Sequence, residues 1–407
     1  MTSLNETTFY MLAWEIFTWL TAKSIFKLAI TSQQCLNFMK DISFCKRQVQ
    51  NMILKDDSEF FIQANTVLHF PHIPDENRIN LLSLTDQELS SVIQPQSMEF
   101  LRDVRLLVSS GGLLFCRTSQ RRPNHVEPFV VINPATGMKV EVSAPSGLSR
   151  GERDNSLKVV FGHNNNGDPF LMIIMIDIDG WDAIYKLMVY SFEEKKWRRK
   201  SQRGIDIGER NLFVENHVFF DDCICFLSDF YGGFTRKSEY YFPYILCYNI
   251  EEEKTQYLRL PRNANKGRNH STCRMKIFPW DKCQTTTMCL VKFCKGQFTI
   301  WVWNKKGEKQ EWVQILRKTL SDIGILEHVD VVGFTVMDGK TLVIVMENKK
   351  VYSYNLVSDG ADHKVKKQKT ATLISNNHGC NGWNFIMYSY SNTLAQIPNA
   401  VPIFYQA

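Results

Sequence analysis

Ile132-Asn133-Pro134-Ala135-Thr136-Gly137-Met138-Lys139-Val140-Glu141-Val142 reads as the end of one strand, a tight turn and the whole of the next strand. Pro134 fixes φ where a type I turn needs it, and Gly137 supplies the positive φ that follows. Met138, Val140 and Val142 then alternate with Lys139 and Glu141, the two-residue period of a strand with one wet face. An apolar residue followed by Ser or Asn just before a polar turn recurs at Leu82-Ser83-Leu84, Tyr190-Ser191-Phe192, Tyr248-Asn249-Ile250, Trp303-Asn304-Lys305 and Tyr354-Asn355-Leu356. Taken with Asn133, the six central residues are 50, 58, 58, 55 and 51 positions apart. Short strands repeating at this period are the signature of propeller blades, so the sequence predicts a mainly β chain built as a six-bladed β-propeller. Asn384–Tyr390 is expected to pair with strands drawn from residues 59 to 84, which closes the ring and removes free edges.

Further hairpins fit this plan. Ser109-Ser110-Gly111-Gly112 links Arg105–Val108 to Leu113–Cys116, and Met337-Asp338-Gly339-Lys340 links Val331–Val336 to Thr341–Met346. The strand after an anchor turn often carries an aromatic: Trp197, Tyr257 and Trp312. Bulky rings at that place are expected to wedge between neighbouring blades. The stretch Ser358–Asn377 carries Lys364, Lys366, Lys367 and Lys369 with few apolar residues and reads as a solvated loop, a nuclear address being the alternative.

Composition narrows the class. Hydrophobic residues at 44% and charged residues at 22% are ordinary values for a folded chain, which argues against disorder over most of the 407 residues. A net charge of +6, with Lys and Arg spread along the chain, gives no basic stripe for nucleic acid. No apolar run reaches the ~20 residues of a membrane span, and the first residues lack the pattern of a signal peptide. The eleven cysteines are an odd number, mostly inside apolar strands, and no CxxC pair occurs. They are expected to be reduced, structural thiols in a chain of the cytoplasm or nucleus.

Residues 9 to 48 differ from all that follows. Leu12, Ile16, Phe17 and Leu20 fall at helical spacing, Ile25 and Leu28 resume it after Thr21-Ala22, and Thr31-Ser32 can cap a third helix with Cys35, Phe38 and Met39. Three small amphipathic helices of this length bury little surface alone, so an apolar stripe of Leu12, Ile16, Leu20 and Ile25 is expected to dock on a partner.

Glu15-Ile16-Phe17-Thr18-Trp19-Leu20-Thr21-Ala22-Lys23-Ser24-Ile25-Phe26-Lys27-Leu28 resembles the F-box motif of plant proteins, roughly E-I-L-x-R-L-P-x-K-S-L-L-R-F. Ile42-Ser43-Phe44-Cys45-Lys46-Arg47-Gln48 is similar to the segment that closes that motif. Thr21 stands where the pattern has a proline, and Cys35 where its third helix has a tryptophan. Downstream, Gly111-Gly112-Leu113-Leu114-Phe115-Cys116, the Asn133–Gly137 turn and Phe298-Thr299-Ile300-Trp301-Val302-Trp303 resemble the F-box-associated, kelch-like propeller region of the same proteins. The resemblance implies a three-helix F-box-like domain over residues 1–50 and an F-box-associated propeller over residues 51–407. It also implies a non-catalytic substrate-recognition subunit of an SCF-type ubiquitin ligase. Leu12, Glu15, Ile16, Leu20, Lys23, Ser24 and Ile25 would meet the adaptor and, through it, the cullin scaffold. The propeller would hold a target protein for ubiquitination, with no cofactor, nucleic acid or membrane involved.

Other readings are weaker in the sequence. An enzyme would need convergent acid, base or metal groups, and His217 and His163 stand without a GxSxG or HExxH motif. Asp177 and Asp179 begin a calcium-loop pattern but lack its later ligands, and Cys283, Cys289, Cys294 and His270 are too loosely spaced for zinc. A secreted glycan-binding propeller conflicts with the missing signal peptide. A propeller interaction protein that no longer binds the ligase adaptor remains the alternative. Substrate contacts are expected in long loops, with Arg121, Arg122 and His125 in one and Tyr231, Phe234, Arg236 and Tyr240 in another.

Overall fold

The computed structural model describes residues 2–54, 59–64, 79–84, 104–118, 129–145, 157–163, 169–175, 184–199, 204–208, 212–228, 242–264, 273–280, 287–306, 309–356, 370–377, 385–398 and 400. Four helices come first, not three: α1 (Thr2–Phe17), α2 (Ala22–Thr31), α3 (Gln33–Lys40) and α4 (Ile42–Leu54). The fourth arises because Asp41 accepts the amide of Ser43 at 2.8 Å and starts a full helix, which runs through residue 50 to Leu54. Thr21 fills the missing proline's place by a different device, its hydroxyl accepting the Ser24 amide at 3.3 Å as an N-cap of α2. Cys35 is buried, and Trp14, Phe17, Phe38 and Phe44 supply the aromatic mass of this small core. Phe38 stacks on Phe44 with ring centres 5.3 Å apart, and Trp14 meets Phe44 edge-on at 5.7 Å.

Twenty-four strands follow among the described residues. β1 (Glu59–Ala64) and β2 (Ile79–Ser83) pair antiparallel. β3 (Val104–Ser110), β4 (Leu113–Thr118), β5 (Phe129–Asn133) and β6 (Met138–Val142) form one four-stranded sheet in sequence order. β7 (Leu157–His163), β8 (Pro169–Met175), β9 (Ile184–Ser191) and β10 (Lys196–Arg199) form the next, with the short β11 (Ile205–Asp206) paired on β9. β12 (Leu212–Phe220), β13 (Cys223–Ser228), β14 (Tyr244–Asn249) and β15 (Lys254–Arg259) follow. Then come β16 (Arg274–Trp280), β17 (Thr287–Cys294), β18 (Gln297–Lys306) and β19 (Lys309–Thr319). β20 (Val331–Met337), β21 (Thr341–Met346), β22 (Val351–Asn355) and β23 (Thr372–Ser375) make a fifth sheet. β24 (Phe385–Tyr390) returns to β1 in the register Glu59↔Tyr390 to Ala64↔Phe385 and completes a sixth.

The first strands β3, β7, β12, β16 and β20 touch one another in turn, and β24 bridges β20 to β3. The result is the expected six-bladed ring, closed by the two ends of its own chain. All six sequence anchors fall at the end of the third strand of a blade: β2, β5, β9, β14, β18 and β22. At three of them the polar residue caps the turn that follows. Asn133 accepts the amide of Ala135 at 2.9 Å, Asn249 those of Glu251 and Glu252 at 2.9 and 2.8 Å, and Ser191 that of Glu194 at 3.2 Å.

Six apolar clusters fill the six seams between blades. Phe115 and Val131 meet Phe161 and Leu171 in one seam, and Val160 and Leu187 meet Ile224 and Leu246 in the next. Phe61 and Tyr388 of the closing blade meet Leu106 and Leu114 in another. Trp197 and Trp312 pack into the seams as the sequence suggested, whereas Tyr257 is exposed at the rim. Each also donates to a carbonyl of the preceding blade: the Trp197 indole to Ser143 at 2.6 Å, the Tyr257 hydroxyl to Asp206 at 3.1 Å and the Trp312 indole to Arg259 at 2.9 Å.

The expectation of reduced thiols throughout is corrected at one place. Cys225 of β13 and Cys247 of β14 lie directly opposite in register and are joined as a disulfide. Seven other described cysteines form no disulfide.

Ring closure depends on Phe61, which is fully buried and packs on Tyr390 with ring centres 5.1 Å apart. Phe61→Ala is expected to lower stability by about 3–5 kcal/mol, whereas Tyr257→Phe at the rim should cost no more than about 1 kcal/mol. Urea unfolding followed by circular dichroism checks the contrast.

Candidate functional site

Strand direction divides the ring into two faces. Turns from first to second strand and from third to fourth, including Gly111-Gly112 and Pro134–Gly137, lie on one face. Connections from second to third strand, and from one blade to the next, lie on the other. The helices sit on the first face, where Ala135 of the β5–β6 turn packs against their core.

What holds them there is the segment after β24. Ala22 donates its amide to the Asn392 carbonyl at 3.0 Å, and Lys23 donates its amide to the Asn392 side chain at 3.0 Å, so this tail meets the N-terminus of α2. Gln48 of α4 donates to the Leu20 carbonyl at 2.9 Å and accepts the Leu394 amide at 2.9 Å. From the ring side, the Asn133 amide donates to the carbonyls of Thr393 at 3.2 Å and Ala395 at 2.7 Å, and the Thr393 hydroxyl donates to Gly111 at 2.7 Å. Leu394 enters the helical core while Ala395 and Ile397 join the apolar cluster of the β3–β6 blade, which also takes Val49 of α4. Gly112, at φ +87°, lets the tail pass: a Cβ there would lie 2.0 Å from the Thr393 hydroxyl and 2.6 Å from the Ser391 carbonyl.

The seven residues expected to meet an adaptor do not form one stripe. Leu12 and Ile16 are each 58% exposed on the outer side of α1, with Tyr10, Met11 and Trp19 exposed near them. Glu15 is exposed and pairs with Arg47 at 3.6 Å, and the Lys23 side chain is exposed. Leu20 and Ser24 are half-buried, Ser24 sharing a 2.9 Å hydrogen bond with the Thr21 hydroxyl. Ile25 is corrected: it is fully buried in the helical core, because the chain turns after Phe17 and α2 presents that residue inward. Helical spacing across the Thr18–Thr21 turn could not reveal this change of direction. Ile30 and Ile42, both strongly exposed, were not singled out in the sequence.

The seven substrate candidates Arg121, Arg122, His125, Tyr231, Phe234, Arg236 and Tyr240 lie outside the described residues, as do the lysines from Lys364 to Lys369. The strand ends that flank the candidates, Thr118 and Phe129, Ser228 and Tyr244, are on the face away from the helices. That face also carries a compact polar network. Glu327 accepts from Lys350 at 2.5 Å, from Asn348 at 2.6 Å and from the Tyr352 hydroxyl at 2.7 Å. The hydrogen bond from Lys350, aided by that from Tyr352, holds the Glu327 carboxyl down at about 2, and burial with the Glu327 bond pushes the Tyr352 hydroxyl up to about 12.

His217 is half-buried, its ring nitrogens facing the carbonyls of Val214 at 2.9 Å and Phe161 at 3.3 Å, a structural arrangement. Asp177, Asp179, Cys283 and His270 lie outside the described residues, as does the side chain of His163. Among the described residues no group of three or more His, Cys, Asp or Glu is placed to hold a metal ion, and no helix is long and apolar enough to cross a membrane.

Fold and junction together define a six-bladed propeller that carries a helical unit clamped on one face. Residues 72–397 match the family of the F-box associated beta propeller domain, and the chain belongs to that family. No curated protein matches the sequence. Among solved structures the chain is similar to the tricorn protease at 8% identity and a TM-score of 0.37, over 70% of this chain and 27% of that one. It is similar also to a protein from Lactobacillus plantarum at 10% identity and 0.40, over 81% and 99%, and to the Dos1 propeller at 10% and 0.32, over 72% and 70%. The chain thus spans about a quarter of the tricorn protease chain, and likenesses this slight say nothing of function.

Asn133→Ala would leave the carbonyls of Thr393 and Ala395 buried without their donor, at an expected cost of about 2–4 kcal/mol. Gly112→Ala should have the same outcome through the clash with the tail. Thermal melts and earlier proteolytic cleavage between α4 and β1 check both. The Glu327 carboxyl, ordinarily near 4.5, is depressed in the folded chain, so its contribution is present at neutral pH and is lost as pH falls from that value toward 2. Glu327→Gln is therefore expected to lower stability at neutral pH and to flatten the acid limb of a plot of melting temperature against pH.

Proposed function

We propose that this chain is the substrate-recognition subunit of an SCF-type ubiquitin ligase. The helical unit binds the adaptor and through it the cullin scaffold, and the propeller binds a target protein. The observation that carries the reading is the clamped geometry. An exposed apolar surface around Leu12 and Ile16 stands on helices fixed to one face of a ring, and most of the ring's longer connections leave from the other. Membership of the F-box associated family supports it, as do the Thr21 cap and the aromatic core that compensate for the two departures from the F-box pattern. The subunit does no chemistry itself. It raises the effective concentration of a substrate lysine near the charged conjugating enzyme, and a rigid link between the two faces preserves that gain. The cytoplasm or nucleus is the compartment we propose.

The test uses the full chain with purified adaptor. Wild type is expected to be retained at micromolar concentration, and Leu12→Asp with Ile16→Asp to weaken retention by at least about tenfold, the cost of a charge in an apolar interface, while the melting temperature is unchanged. Failure of the wild-type chain to bind would sink this reading and favour a propeller interaction protein detached from the ligase.

A further inference from the structure

The described cysteines outside the Cys225–Cys247 disulfide are not equivalent. Cys35, Cys45, Cys116 and Cys289 are buried, and burial pushes the Cys45 thiol up to about 11. Cys223 is half-buried but lies among Asp221, Asp222 and Glu252, whose charges add to burial in disfavouring its thiolate. Cys273 and Cys294 are both half-buried and face each other. Cys273 precedes β16 and Cys294 ends β17, and the register Arg274↔Phe293, carried one residue outward, sets them opposite. The two side chains are in hydrogen-bonding contact. Lys292 stands two residues before Cys294 on the same side of β17, its ammonium held by the Ala264 carbonyl at 2.7 Å; burial pushes the Cys273 thiol up to about 11, and the Lys292 charge opposes that only in part.

In the preceding blade the same cross-strand placement, Cys225 opposite Cys247, already holds a disulfide. That bond is buried, whereas Cys273 and Cys294 are accessible, at the face away from the helices beside the tight turn through Lys295 and Gly296. Cys273 lies just outside the strand ladder, so its backbone can make the small approach that a disulfide needs.

We propose that Cys273 and Cys294 are a redox site that closes reversibly to a disulfide, with a small disulfide such as oxidised glutathione as the oxidant. One cysteine thiolate attacks a glutathione sulfur and releases one glutathione. The other then attacks the mixed disulfide and releases the second. The protein loses two protons and two electrons, and one glutathione disulfide becomes two thiols. The site does not depend on the ligase reading.

Full-length protein, reduced and desalted, is incubated with oxidised glutathione, alkylated, digested and mapped by mass spectrometry. The expected product is a peptide pair joined through Cys273 and Cys294, reversed by dithiothreitol. Cys273→Ser, deprived of the resolving thiol, is expected to keep a glutathione adduct on Cys294. Recovery of both wild-type cysteines as alkylated thiols, as stable glutathione adducts, or joined to other cysteines would overturn the proposal. The wild-type map decides this without any variant having to fold.

Discussion

Everything in this molecule depends on where residues 391–397 run. β24 closes the ring by pairing with β1, and the next seven residues cross the turns of the β3–β6 blade to reach α2 and α4. Ring closure and helix docking are thus made by one continuous stretch near the end of the chain. Both are contacts between residues hundreds of positions apart, such as Asn133 with Ala395 and Gln48 with Leu394. Contacts of this separation form late because the entropy of closing the loop must be lost before they contribute. The orientation of the N-terminal helices is thus set by residues some 346 positions away.

The junction is polar for a physical reason. Val49 and Leu394 bury apolar surface between helices and ring, but apolar contact alone is non-directional and permits small rotations. The amides of Gln48 and Asn133 have fixed donor and acceptor directions and are fully buried, so each must be satisfied in one geometry. Asn133 shows how a repeat is adapted. Its Oδ1 caps a turn as Asn249 does elsewhere in the ring, and its amide nitrogen, which a serine anchor such as Ser191 lacks, is the group that binds the tail.

Much of the ring could be read from the sequence because each blade repeats a local signal. An apolar strand, a polar cap and a turn residue sit close together in sequence, and six copies reinforce one another. The anchor turns, the six-blade count and the pairing of β24 with β1 follow from that. What could not be read was non-local. Ile25 belongs to an apolar face at helical spacing, but whether that face looks outward is decided by Phe38 and Phe44 beyond the next turns. The tail Thr393-Leu394-Ala395-Gln396-Ile397 is too short to show periodicity, and its apolar residues after the last strand were the one available hint. The bonded pair Cys225 and Cys247 needed the register of two strands to be known.

Glu59 shows that the junction is not built for stability alone. It lies in β1 opposite Tyr390, with one carboxylate oxygen buried and without a hydrogen-bond partner, and burial raises its pKa while the charge of Lys23 on α2 pulls it back. Desolvating a carboxylate is costly and no hydrogen bond offsets it at that oxygen. The attraction from Lys23 is available because α2 is docked, which brings the charges of the two units within electrostatic reach of each other. A methyl-bearing side chain at this position would remove the penalty but would attract α2 equally in any rotation. The buried charge therefore exchanges stability for orientation, whereas the hydrogen-bonded amides of Gln48 and Asn133 supply both. For the bridging role we propose, holding two partners at a fixed relation makes orientation worth more than the stability forgone.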